Sequence, residues 1–214
     1  MADERLKSLI KEICNNFGMK CKFTRMETFA PMFFDASTEE IVINYPIIDK
    51  ILCDYQEMVS TGNTKDFLEN SIKHEYEHLK VLKELENRGI PANKQCRGDY
   101  VLAIEAYIEN ISPTFEPVRE YLRDIILELS LINPTLSYQK ARENAYEALT
   151  YVLFLSEEEI KAAFEMNYPY FSEVLLDLKK IALDTRIIND IPKSAEKIRM
   201  HEGIEIKSRN DLLN

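Results

Sequence analysis

The segment SIKHEYEHLK, residues 71–80, holds two of the chain's three histidines four positions apart, with a glutamate directly after the first. On a helix, residues four apart lie one turn above each other, so His74 and His78 project from one face. Two neutral imidazoles placed this way can share a zinc ion. They leave the ion cationic enough to bring a water's pKa down to about 7, which a shell of thiolates would not do. Glu75 is rotated about 100° from His74. That rotation sets its carboxylate beside the ion's open side, where it can take a proton at neutral pH and serve as general base.

A third protein ligand is needed, and the stretch before Pro113 offers one. Val101, Ile104 and Ile108 make an apolar helical stripe, and Glu105 falls within it. A lone carboxylate facing a core is costly, and a metal or a buried partner would relieve the cost. Glu109, one turn later, can bond to a ligand histidine, or can itself be the ligand with Glu105 outside. The plainer readings stand beside these: a pair of partly exposed helix histidines, and a Glu105 paired with a lysine or arginine. Glu77 is expected in solvent, away from the histidine face. Tyr100 and Tyr107 are expected to pack, although either phenol could donate to a developing oxyanion. His201 is expected to be an exposed tail residue; in the sharper alternative, MHEG at 200–203 folds over the zinc and blocks it. A di-iron reading of Glu75–His78 as E-x-x-H requires a second copy of that motif, and Ile198, three before His201, rules out the last histidine as its source.

Several elements must position these groups. Leu6, Leu9, Ile10, Ile13 and Cys14 recur at helical spacing over 3–17, and Gly18 can end that helix. KCKFTRM (20–26), APMFF (30–34) and EEIVINY (39–45) read as three short strands of a small antiparallel sheet, with Asp35 to Thr38 as a turn. Pro46 breaks the last strand, Ile47 to Val59 can make a short helix, and STGN (60–63) reads as a loop. Thr64 can cap a helix reaching Arg88, closed by Gly89 and Pro91, which puts His74 to His78 in mid-helix. The Glu105 helix runs from Asp99 to Pro113. Helical patterns follow at 114–132, 137–154, 157–165 and 168–186, and an irregular stretch is expected from Asn189.

The chain of 214 residues is 45% hydrophobic and 30% charged, an ordinary globular balance. A formal charge of −10, with no dense basic patch, disfavours a nucleic-acid partner held through its phosphates. No run of about 18 apolar residues spans a membrane, and the charged amphipathic opening MADERLKSLIKEI is unlike a secretory signal, so a cytoplasmic location is expected. Cys14, Cys21, Cys53 and Cys96 lack CxxC spacing and read as small core hydrophobes. Cys14 and Cys21 flank Gly18, which leaves a disulfide between them open. Three modules are expected: a catalytic core over 1–113, a helical extension over 114–188 and an irregular tail over 189–214. Oligomeric state has no signature.

H-E-Y-E-H at 74–78, followed by E-A-Y-I-E at 105–109, resembles the gluzincin metallopeptidases, the thermolysin-like HExxH zincins. The resemblance covers about residues 20–111. It implies an α+β, predominantly helical fold with a zincin-like core, with His74, His78 and Glu105 as zinc ligands, Glu75 as catalytic base and Glu109 supporting His74. It also implies that EEIVINY is an edge strand to which a peptide or protein substrate adds. Two departures stand out: Glu109 replaces the usual aspartate, and the histidine and tyrosine that stabilise the oxyanion have no match. The expected activity is zinc-dependent peptide-bond hydrolysis. The alternative is a catalytically weak or inactive zincin-like module that binds metal and regulates or docks a partner.

Overall fold

The computed structural model describes residues 2–25, 29–59, 63–132, 152–165 and 169–212, a mostly helical α+β chain with one small sheet. The expected helix at 137–154 falls almost wholly outside the described residues, as does most of the STGN loop. Among the described residues, no helix is long and apolar enough to cross a membrane. The chain divides into two units, one of residues 1–89 with 112–122 and one of 90–111 with 123–214.

The first unit opens with α1 (Ala2–Asn16), whose Ile10, Ile13 and Cys14 are buried, and Gly18 leaves the helix at φ 68°. β1 (Lys20–Thr24), β2 (Met32–Asp35) and β3 (Glu40–Asn44) then form a sheet in the order β1-β3-β2. It is mixed, not antiparallel as expected: β2 pairs antiparallel with β3, but β1 pairs parallel with it. Two successive connections each reverse the chain, so β1 and β3 share a direction. Because β3 lies between its two predecessors, its pairing with β1 must be parallel.

β3 is therefore central, which corrects its expected place at the edge. Ile41, Val42 and Ile43 are at most 1% exposed, and consecutive buried residues mean that both faces of the strand are covered. The edges belong to β1 and β2. The β2–β3 turn forms where expected: the Asp35 carboxylate accepts the Ser37 amide at 3.0 Å and the Ser37 hydroxyl at 2.6 Å, a local bond that competes with strand pairing and bends the chain.

α2 (Tyr45–Asp54) begins with Pro46 in its first turn, where no amide proton is needed. α3 (Thr64–Asn87) follows, with Asn63 and not Thr64 at its cap position, and Gly89 at φ 84° just past its end. Its buried face of Phe67, Leu68, Ile72, Val81 and Leu85 packs on α1 and β2. Phe67 meets Phe115 edge-on at 5.8 Å, and Tyr121 meets Tyr55 at 6.4 Å.

The second unit holds α4 (Ala92–Gln95) and α5 (Gly98–Ile111). The helix α6 (Glu116–Ile132) begins in the first unit. α7 (Glu157–Phe164) carries a full capping box from Ser156 and Glu159, and α8 (Pro169–Leu183) follows it. α9 (Ile191–Leu212) occupies the stretch expected to be irregular; Pro192 stands in its first turn, where proline is tolerated. α5 packs on α8 and α9, and the fully buried Ala103 and Ala106 leave room for close approach.

Candidate metal centre

α3 carries the histidine pair as its periodicity predicts. His74 is 7% exposed and His78 is half-buried, with ring centroids 5.2 Å apart and planes at 61°. His74 Nδ1 lies 2.7 Å from the backbone oxygen of Ser112. A carbonyl has no proton to give, so Nδ1 must carry the hydrogen and donate it. That fixes the tautomer and leaves the lone pair on Nε2, the state a metal ligand needs. The atom 2.7 Å from Nδ1 is a main-chain carbonyl next to Pro113, a partner that the sequence did not offer.

Glu105 stands half-buried on α5, flanked by the buried Ile104 and Ala106, and Glu109 lies half-buried one turn on. His74 and His78 stand on α3 in the first unit and Glu105 on α5 in the second, and the three residues offer two imidazole nitrogens and a carboxylate oxygen as ligand atoms. Two imidazoles and a carboxylate are a donor set suited to zinc, and three protein ligands leave a position open. The residues present thus fit the ion that the motif implies.

Glu75 is half-buried, and its Oε2 accepts the backbone amide of Phe34 at 2.9 Å. Phe34 belongs to β2, so this amide points away from β3 and ties the candidate base to the open edge of the sheet. Neither this bond nor the Ser112 carbonyl could be foreseen, because main-chain atoms leave no mark in residue type.

The neighbouring residues divide between expectation and correction. Glu77 was expected in solvent, yet its side chain is only 13% exposed and it pairs with Lys80 at 2.7 Å. Tyr76, between the two glutamates, packs obliquely on Phe17 at 5.5 Å, and the Lys80 ammonium lies 5.6 Å from the centre of the same ring. Tyr100 is buried, with the Lys94 ammonium 5.4 Å from its ring centre, as its packing role predicts. Tyr107 is half-buried on α5. His201, expected in an exposed tail, is half-buried on α9. Cys14 is buried as expected, but Cys53 and Cys96 are exposed and Cys21 is half-buried, so the four thiols are not uniformly core residues. Compared with known proteins, the chain matches no family model, no curated protein and no solved structure.

Proposed function

We propose that this protein is a zinc-dependent peptidase with a zincin-like core, acting in the cytoplasm. His74, His78 and Glu105 would hold the ion, Glu75 would be the general base, and Glu109 would support the ligand set from α5. The histidine pair of α3, with ring centroids 5.2 Å apart, His74 Nδ1 held by the Ser112 carbonyl and the carboxylate of Glu75 next to the first histidine, carries the reading. Bound zinc supplies Lewis acidity, polarising a peptide carbonyl and acidifying water. Glu75 accepts a proton from the attacking water and returns it to the leaving amine. β2, in place of β3, offers the edge along which an extended peptide can pair, and the Phe34 amide keeps Glu75 beside that edge. The Ser112 carbonyl keeps His74 in its ligand tautomer.

The test is metal analysis of the purified protein joined to peptide-library cleavage. Stoichiometric zinc that is lost in His74→Ala and in Glu105→Ala supports the ligand set. Cleavage that disappears in Glu75→Gln while zinc stays supports the base. A protein that carries no zinc after equilibration with it overturns the reading.

The rival, a metal-binding module that docks or regulates a partner, draws on the same bond between Glu75 and Phe34, since an oxygen of the base is already engaged. Stoichiometric zinc with no cleavage across the library would favour it.

A further inference from the structure

The outer edge of the sheet holds an acceptor where an added strand would place one. β2 is a terminal strand, and the Asn44 amide at the end of β3 donates to the Pro31 carbonyl at 2.9 Å. In an antiparallel pair every second residue bonds to its neighbour. Phe33 opposite Val42 and Asp35 opposite Glu40 therefore direct their main-chain groups to β3, as Pro31 does, and Met32 and Phe34 direct theirs away from it. The Phe34 amide bears this out, since it donates to Glu75 Oε2 on α3 at 2.9 Å, the usual length of an N–H···O bond between strands. A carboxylate oxygen thus stands in for the carbonyl of a neighbouring strand, and it belongs to the proposed general base.

We propose that the bond between Glu75 and Phe34 is a resting latch, opened by an extended peptide whose own carbonyl takes the Phe34 amide. The latch rests on the peptidase reading for its meaning: a peptide that pairs with β2 returns the Glu75 oxygen to proton transfer, so docking and release of the base are one event. Selection by length follows. A bond to an ionised acceptor is stronger than one to a neutral carbonyl, so a peptide that offers a single carbonyl loses the competition. An extended segment also bonds the Phe34 carbonyl and pairs further along β2, and the added bonds offset the lost one. The substrate class is therefore an unstructured stretch of about five residues or more, rising about 3.3 Å per residue as a strand, and not a dipeptide.

The experiment uses the full chain kept free of metal by a chelator. The probe is a neutral, capped octapeptide of alternating threonine and valine with a glutamine at each end. Strand addition is a main-chain event, so a generic extended peptide suffices. Glu75→Ala should bind it about tenfold more tightly than wild type, the scale of a hydrogen bond to a charged group. Glu75→Gln, which keeps a weaker acceptor, should fall between the two. Phe34→Pro lacks the donor, and proline is tolerated in an edge strand; in that background Glu75→Ala should leave the affinity unchanged. A capped threonine–valine dipeptide should not bind the wild type. Hydrogen exchange of the Phe34 amide, followed by NMR with isotope-labelled phenylalanine, should be slow in the wild type, faster in Glu75→Ala, and slow again when the octapeptide is added to that variant. This readout needs no change at position 34, and circular dichroism establishes that each variant is folded. The proposal is overturned if Glu75→Ala binds the octapeptide no more tightly than the wild type, if neither binds it, or if Phe34 exchange is indifferent to Glu75. A protein that shows this competition but takes up no zinc keeps the latch and loses the peptidase; one that holds zinc and shows no competition loses only the latch.

Discussion

At the scale of single residues, the site rests on protonation states set by neighbours. The Ser112 carbonyl forces a hydrogen onto His74 Nδ1, and removal of either histidine should therefore abolish zinc binding where removal of a surface histidine would not. His74→Ala is expected to hold no zinc after gel filtration, as read by elemental mass spectrometry. Glu75→Gln is different in kind: it keeps an oxygen that can accept the Phe34 amide and loses only basicity. Its zinc content should stay at wild-type level while peptide cleavage falls by about 10²–10⁴-fold, the usual scale of general-base loss. A Glu75→Gln protein that cleaves a confirmed substrate at the wild-type rate would remove Glu75 from its role. The placement of His74, Glu75 and His78 on one helix was legible from type and spacing alone, since four residues is one helical turn wherever a helix forms. Their partners were not, because any residue at positions 34 and 112 except a proline at 34 would present the same main-chain atoms.

At the scale of elements, the helices that carry the site were legible and the sheet was only partly so. α1, α3 and α5 follow local periodicity and end at Gly18, Gly89 and the stretch before Pro113, so their limits fall within a few residues of expectation. Strand order depends on pairing between distant residues, and nothing in KCKFT or MFFD says which side of EIVIN each will take. The unbroken apolar run of Ile41 to Ile43 was the available sign that β3 is central, since an edge or half-covered strand alternates. Two predictions belong here. Phe67 is fully buried on α3 against Phe115, so Phe67→Ala should cost about 3–5 kcal/mol in denaturant unfolding. Asp35 holds the β2–β3 turn: Ser37 first, then Lys22 at 3.0 Å, keeps its carboxyl well below the usual carboxylate range. The unfolded carboxyl titrates near about 4, so the stabilisation is complete above that pH and fades as pH falls through the lower folded value. Asp35→Asn should lose about 1 kcal/mol at neutral pH, and the gap to wild type should close in strong acid. A gap that stays constant with pH would refute the ionic part of this account.

At the scale of the whole molecule, a metal that binds the folded chain and not the unfolded one stabilises it by mass action. Zinc at about 100 times its dissociation constant would add about 2.7 kcal/mol. The melting temperature is expected to rise with added zinc and to fall with a chelator in the wild type, and to respond to neither in His74→Ala. The net charge of −10 predicts no mobility shift with duplex DNA even at low salt. The bond from the Phe34 amide to Glu75 has a further consequence, unrelated to hydrolysis. A sheet edge bearing Phe33 and Phe34, left uncovered, is a template for another copy of the same chain, and proteins blunt such edges with charge. Glu75 occupies a donor on that edge and sets a negative charge beside it, so the residue that would serve catalysis also discourages aggregation. Glu75→Ala should therefore scatter more light on concentration than Glu75→Gln, which still caps the amide, and both should exceed the wild type.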